Sequence, residues 1–375
     1  MAFYLQLLFP NALYVVFLLC LLIQLGYAFY YFIPFIFYKP ATTNAKLYPV
    51  SVIIAAHNEL PNLKRLLPAV LAQSYPEFEI IVVDDRSTDS STDYLEDIQR
   101  QFAGFRYIKI KDTANTENSK KHALIQGVAV ARYEHLLLTD ADCKPLSSNW
   151  IHEITKGFNH QVAVVLGYSP YITKRGFINH LIRYETLLSA IQYLSFSVKG
   201  HGYMGVGRNL AYTKTCFYQN NGFNSHLNTL GGDDDLFVQE AAQQHQINIV
   251  ITQESQTASI PKNTYNEWFT QKRRHLNVGR YYKLKDKLRI GIFMFSNIFF
   301  YLSGIFLSFV LENLFALSII YIIRGIVIYL VYILIARKLK EPISVILLPV
   351  LDLVYIFNYL VLGVSVLIFN KVKWK

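Results

Sequence analysis

The acidic residues of this 375-residue chain fall in short clusters. Asp140 and Asp142 flank Ala141 behind the apolar run HLLL. Two residues apart in an extended segment, they point the same way and can both reach one Mg2+ or Mn2+ whose other ligands are phosphate oxygens and water. Asp84 and Asp85 close the run EIIVV. An aspartate there can accept from a nucleobase N–H or a ribose hydroxyl, whereas Ser87, Thr88 and Asp89 read as helix caps. His57, Asn58 and Glu59 follow SVIIAA in the same way. The densest cluster is Gly231-Gly232-Asp233-Asp234-Asp235, ahead of LFVQEAA. Asp234 or Asp235 can cap that helix, and a carboxylate in a pocket can take a proton from an attacking hydroxyl. Lys120 and Lys121 lead SKKHAL, either as a solvated helix face or, beside a helix N-terminus, as a seat for a diphosphate. In Gln271-Lys272-Arg273-Arg274-His275 the arginines can lie along headgroups or hold a departing diphosphate.

These clusters need a scaffold that brings them to one edge. Strand-like Val50–Ala56, Glu79–Val83, Phe105–Ile110, His135–Leu138 and Val162–Gly167 alternate with helical Leu60–Ala72, Ser91–Phe102, Lys120–Ala131 and Trp150–Phe158. Mostly apolar strands alternating with helices predict an α/β fold with a largely parallel sheet covered on both faces. In such a sheet ligands bind beyond the carboxyl ends of the strands, which is where the polar clusters fall.

The ends of the chain are different. Hydrophobic residues make up 53% and charged residues 17% of the whole, and the excess sits before about residue 40 and after Arg289. Ala12–Ile33 carries no charge and is long enough to cross a hydrocarbon core of ~30 Å. Without a basic start or a small-residue cleavage site, it reads as a signal anchor. Ile290–Leu311, Leu314–Ala336 and Ile343–Phe369 make three further segments, the first two a hairpin turning at Glu312 and Asn313. Arg324 and Asp352 lie inside such segments and should face protein or headgroups. Lys371, Lys373 and Lys375 fall outside if the last segment crosses fully, so that segment is expected to be re-entrant or interfacial.

The net charge of +10 does not point to nucleic acid, because the basic residues border lipid-length segments. Cys20, Cys143 and Cys216 show no zinc-type spacing and read as unpaired thiols.

Taken together, SVIIAAHNE, IIVVDDRSTDSS, SKKHAL, LLLTDADC, GYMGVGRNLAY, GGDDDLF and QKRRH resemble the membrane-integrated family 2 glycosyltransferases, over about Pro49 to Tyr282. The resemblance implies a GT-A domain in which His57, Glu59 and Asp85 help hold the nucleoside, Lys120 lies near the nucleotide, and Asp140 and Asp142 contact the metal and diphosphate. Asp84 is a substrate-binding candidate from its place beside Asp85. It implies Asp233 as catalytic base, with Asp234 the alternative and Gly232 where the family has an acid. Gly205, Gly207 and Asn209 would line the acceptor side. QKRRH is similar to the family's Q-x-x-R-W, so Gln271 and Arg274 would serve the leaving diphosphate, and His275 stands for the tryptophan.

The implied reaction is metal-dependent transfer, by a single inverting displacement, from a nucleotide-sugar to a lipid or lipid-linked acceptor. The catalytic domain would be cytoplasmic on a multi-pass cell-membrane protein, with partner proteins of an envelope biosynthesis pathway. The rivals are a processive polysaccharide synthase and a non-catalytic nucleotide-binding membrane protein. The expected division is an anchor over 1–40, a catalytic domain over 48–265, a basic interfacial segment over 266–289 and a membrane region over 290–375.

Overall fold

The computed structural model describes residues 2–40, 46–110, 119–311 and 314–368. They form two units: a sheet unit, Lys39–Tyr281, and a helical unit made from the chain up to Tyr38 and from Tyr282 on. Strands are β1 (Val50–Ala56), β2 (Phe78–Asp84), β3 (Phe105–Lys109), β4 (His135–Leu138), β5 (Cys143–Pro145), β6 (Val162–Gly167), β7 (Leu210–Thr213), β8 (Gln246–Val250) and β9 (Thr257–Ser259). Helices are α1 (Ala2–Tyr27), α2 (Ile33–Phe37), α3 (Leu60–Leu71), α4 (Ser91–Gln101), α5 (Ser119–Val130), α6 (Trp150–Thr155), α7 (Phe177–Val198), α8 (Lys214–Gln219), α9 (Asp235–Ala241), α10 (Tyr265–Val278), α11 (Leu284–Val310), α12 (Phe315–Lys338) and α13 (Leu348–Ile368).

The main sheet has seven strands in the order β3-β2-β1-β4-β7-β6-β8. β1 runs parallel to β2 and β4, and β2 parallel to β3. β7 lies antiparallel between β4 and β6, and β8 is parallel to β6. β1 is buried at every residue except Ala55, which is why it is apolar at every position but Ser51. Helix α3 covers one face with Leu63, Leu66, Leu67 and Val70, spaced at helical turns. On α5, a Cβ at Gly127 would come within 2.6 Å of Ile53 Cγ2, so glycine lets this helix lie close on β1. That approach delivers Lys120, at the start of α5, to the carboxyl edge of the sheet.

β1, β4 and β6 occupy the residues expected from the sequence, and the helices among them end one to three residues earlier. The antiparallel β7 and the three-residue ribbon β5–β9 were not anticipated. Four residues, LAYT, after a glycine-rich run carry too little periodicity to be read as a strand.

In the helical unit, four stretches are long and apolar enough to cross a membrane: Asn11–Phe37, Leu284–Val310, Phe315–Lys338 and Leu348–Val366. The chain therefore has the composition of a membrane protein. The last segment, expected to be re-entrant or interfacial, is a regular helix of 21 residues. The turn residues Glu312 and Asn313, and Lys371, Lys373 and Lys375, lie outside the described residues. Phe17 of α1 stacks on Phe300 of α11 at 4.5 Å between centroids. Gly304 leaves room for Tyr321, whose hydroxyl would lie 2.0 Å from any Cβ there.

Arg324 is 1% exposed and joins all four helices. Its Nη1 pairs with Asp352 Oδ2 at 2.7 Å and donates to Tyr301 Oη at 2.8 Å. Nε donates to Gln24 Oε1 at 2.7 Å and Nη2 to Asn297 Oδ1 at 2.9 Å. Tyr301 donates to the same Asp352 oxygen at 2.8 Å. Arg324 and Asp352 thus face protein, as their cost in hydrocarbon requires.

Removing one member of a buried pair leaves a bare charge, at a cost of about 3–5 kcal/mol, whereas removing both is far milder. Asp352→Asn should lower the thermal unfolding midpoint of the detergent-solubilised protein sharply. The double variant Arg324→Leu/Asp352→Leu should recover much of the loss. Equal midpoints for the single variant and wild type would show that the pair does not hold the bundle.

Candidate active site

The carboxyl edge of the sheet is built from four loops. After β1, Asn58 turns into the left-handed region (φ 55°) and its Oδ1 accepts from Thr88 N at 2.7 Å and Asp89 N at 3.2 Å. Its own N–H donates to Ser87 Oγ at 2.8 Å. Asn58 therefore clamps the loop after β1 to the loop after β2, a role its type alone did not signal. Beside it His57 Nδ1 donates to the Asp85 carbonyl at 2.5 Å, which leaves Nε2 without a proton in the neutral ring.

Asp84 and Asp85 part company. Asp84 is fully buried; it accepts from Ser87 N at 3.1 Å and Thr92 Oγ1 at 3.0 Å. The expectation that it contacts the nucleoside is corrected: both oxygens are spent on the turn into α4. Asp85 is buried and paired with Arg86 Nε at 2.9 Å. Glu59 accepts from Asn62. Burial raises its pKa, and the nearby charges of Asp142 and Asp140 add to the rise, against that bond and Lys262.

Asp140 and Asp142 are half-buried, and each offers an oxygen within 4.8 Å of the other and of Cys143 Sγ. The Cys143 thiol lies 2.9 Å from Ser259 Oγ, and burial holds its pKa well above the ordinary thiol range. A protonated sulfur suits no hard cation, so the two carboxylates remain as donors, and their chemistry fits Mg2+ or Mn2+.

Lys120 is the centre of the arrangement. Its Nζ lies 2.8 Å from Asp140 Oδ1 and 2.8 Å from Asp233 Oδ2. Lys121 turns the other way: buried, it donates to the carbonyls of His226 and Thr229, the latter at 2.7 Å. One helix start thus reaches the acids and also anchors the loop that leads to them.

That loop ends in Gly231 and Gly232, both in the left-handed region at φ 82° and 84°. A Cβ at Gly232 would meet Leu236 Cδ1 at 2.6 Å, so this left-handed turn strains any side chain placed there. Asp234 is tied on both oxygens, Oδ2 to Gly207 N and Oδ1 to Asp235 N, each at 2.8 Å. It caps α9 and pins the Gly207 turn. Asp233 has Lys120 on Oδ2. Burial pushes its carboxyl up, but the Lys120 ammonium outweighs this and holds it below the ordinary range. Asp234 moves the other way, pushed up to about 6 by burial and then by the Asp233 charge.

Asn209, expected on the acceptor side, is a correction. It is fully buried, donates to the carbonyls of Tyr168 (2.9 Å) and Ser255 (2.8 Å), and accepts from Trp150 Nε1 at 2.9 Å. Its donors and acceptor face inwards, so it braces the core. Gly205 is likewise packed, with Val238 Cγ2 3.0 Å from a would-be Cβ. Gly207 borders the acids instead: a Cβ there would lie 3.5 Å from Asp233 Oδ2 and from Asp234 Oδ2.

Helix α10, opened by a Thr264–Glu267 capping box, carries QKRRH. Lys272 is buried in an ion pair with Glu185 of α7, which fixes the helix. Arg274 comes within electrostatic reach of Asp140, Asp233 and Asp142. Gln271 Nε2 lies 3.4 Å from Tyr171 Oη. The His275 ring keeps contact with water, yet enclosure by protein, with the charges of Lys272, Arg274, Arg208 and Lys120, holds its pKa well below the ordinary value. Asp140, Asp142, Asp233, Asp234, Lys120 and Arg274 are thus brought together, with His57, Asp85 and Glu59 along the same edge.

An open α/β sheet of this order, with acids, a lysine and an arginine converging past the strand ends, has the architecture of a GT-A glycosyltransferase. Residues 51–217 match the model of Glycosyl transferase family 2. A poly-beta-1,6-N-acetyl-D-glucosamine synthase of Staphylococcus epidermidis is 30% identical over 93 residues, 25% of this chain and 21% of that protein. An uncharacterized glycosyltransferase of Nostoc sp. is 37% identical over 93 residues, 25% of this chain and 28% of that one. The alignments thus span well under a third of these relatives. A mannosyltransferase from Pyrobaculum calidifontis, solved with GDP-Man and Mn2+, matches with a TM-score of 0.61 at 15% identity, over 96% of this chain and 98% of that one. It shares the fold.

Two measurements test this geometry. Asn209→Ala takes the acceptor from the buried Trp150 N–H and a donor from two carbonyls, and at ~1–3 kcal/mol for a buried orphan the thermal midpoint should fall markedly. Any transfer base must be ionised, so transfer should fail as pH drops through the low pKa of Asp233. Lys120→Met removes the charge that lowers it, leaving burial to act. The acid limb of kcat/KM should then move to higher pH, and an unmoved limb would assign the titration to another group.

Proposed function

We propose that this protein is a membrane-bound glycosyltransferase moving a sugar from a nucleotide-sugar to the hydroxyl of a lipid or lipid-linked acceptor, with inversion. The observation that carries the reading is the division of labour at Gly231–Asp235. Asp234 is bound on both oxygens by the N–H groups of two other residues, Gly207 and Asp235, while Asp233 takes Lys120 on Oδ2 and, from the backbone, a bond from its own N–H. A base must exchange partners during the reaction, and Asp233 can do so without unmaking a turn.

In this reading Asp233 accepts the proton of the acceptor hydroxyl as its oxygen attacks the anomeric carbon. Lys120 keeps Asp233 ionised and, through Asp140, holds the base at a fixed distance from the diphosphate side of the site. Asp140 and Asp142 would hold the divalent cation, which when bound supplies positive charge to the leaving diphosphate. Arg274 adds a charged fork on the same side. His57 and Asp85 line the nucleoside end, and His275 takes the place beside the acceptor. One displacement from the face opposite the leaving group inverts the configuration.

The membrane-length helices support an acceptor already in the bilayer. In this proposal residues 1–40 and 290–375 hold the catalytic domain, 48–265, at the cytoplasmic leaflet, joined through the basic stretch 266–289. Acceptor-supplying and product-consuming proteins of an envelope pathway would be its neighbours. The similarity to a poly-beta-1,6-N-acetyl-D-glucosamine synthase of Staphylococcus epidermidis favours a second reading, a processive polysaccharide synthase. Four apolar helices offer little material for a polymer channel, so single transfer is preferred.

With purified protein, a labelled donor and membrane lipid, Asp233→Asn should cut kcat by about a hundredfold or more while donor binding stays near wild type. Asp234→Asn should instead lower stability. Near-normal transfer by Asp233→Asn would overturn the base assignment, and a ladder of long products from wild type would establish the processive reading.

A further inference from the structure

The glycine-rich run GVGRNL contributes more than its glycines. Arg208 lies in the short 3-10 turn Gly207–Asn209, and the backbone of that turn is fixed from every side. The Arg208 carbonyl accepts from Thr139 Oγ1 at 3.0 Å and from Thr257 Oγ1 at 2.8 Å. Gly207 is held by Asp234, and Asn209 by three bonds into the core.

The side chain contrasts with its backbone. The half-buried guanidinium makes one hydrogen bond with the protein, from Nη1 to Ser259 Oγ at 3.2 Å, and lies over the Tyr171 ring at 4.7 Å. Among the described residues no carboxylate comes within ion-pairing distance of it. It stands within electrostatic reach of Asp142 and Asp140, and both Arg208 and Arg274 have Tyr171 and these two aspartates as neighbours. A guanidinium stays charged at any working pH and has five N–H donors. One neutral hydroxyl and an aromatic face leave most of them unused. A rigid turn that presents such a fork beside a pair of diphosphate-side carboxylates is prepared for an oxyanion.

We propose that Arg208 binds the diphosphate of the nucleotide-sugar donor, forming a two-arginine clamp with Arg274. This rests on the transferase reading above and adds a donor-binding residue to it. Tyr171 links the two elements: Arg208 lies over its ring, and its hydroxyl is 3.4 Å from Nε2 of Gln271, three residues before Arg274 on α10. The clamp would grip the β-phosphate, where charge grows as the glycosidic bond breaks.

The test is calorimetric titration of the full-length protein in lipid nanodiscs with Mg2+, using UDP, GDP, UMP and GMP as probes. Arg208→Gln should weaken binding of the preferred diphosphate by about tenfold or more, as expected for a lost charge-assisted bond, and leave the monophosphate within about threefold. Arg208→Lys should recover part, since it restores charge without the fork. Diphosphate affinity equal to wild type in Arg208→Gln would overturn the proposal. So would parallel loss of mono- and diphosphate with a lowered thermal midpoint, which would mark Arg208 as a brace for the loop. A wild-type protein that binds neither diphosphate would refute the donor-site reading itself, and the clamp with it.

Discussion

Carboxylates repel one another, and this fold gathers Asp140, Asp142, Asp233 and Asp234 at one sheet edge. The interaction that makes this tolerable is the pair of contacts from Lys120 to Asp140 and Asp233, both at 2.8 Å. One ammonium joins the loop after β4 to the loop before α9, segments that lie almost a hundred residues apart. Much else follows from the need to put that ammonium there. Gly127 lets α5 lie on β1, Lys121 ties the neighbouring loop, and Gly232 permits the turn that brings Asp233 into reach.

The same economy explains why the polar residues divide into two kinds. Those whose donors and acceptors are consumed by backbone, such as Asp84, Asp234 and Asn209, hold loops. Those joined to other segments through side chains, such as Asp233, Asp140 and Lys120, can change partners. A substrate can displace a side chain from a side chain at modest cost, because both groups find new partners in the complex. Displacing a backbone N–H would expose a buried donor.

Much of the fold was legible because β1, β4 and β6 are buried on both faces and read as plain apolar runs. β7 was not, since LAYT is short and its antiparallel pairing depends on partners far away in the chain. In the site, Asp140 and Asp142 were legible from position, since they follow a strand, whereas Asp233 and Arg274 were singled out through the resemblance of GGDDD and QKRRH to family motifs. Asn209 and Asp84 were misplaced because residue type says what a side chain can bond, not which way it points. Arg208 was passed over as one basic residue in a glycine-rich run. The usable signal was that its neighbours Gly207 and Asn209 both had reasons to be immobile. Asn58 was visible only as the middle of His57-Asn58-Glu59, since a clamp between two loops exists only once the strands are paired.

The helical unit holds a consequence for how the chain is made. Gln24, Asn297 and Tyr301 all precede Arg324, whereas Asp352 follows it by 28 residues. A ribosome therefore delivers the guanidinium while its counter-charge is still unmade. Three neutral acceptors already synthesised shelter it through that interval, and the arrival of the last helix completes neutralisation. The order of residues along the chain thus sets an order of events at the membrane, with α13 closing the bundle.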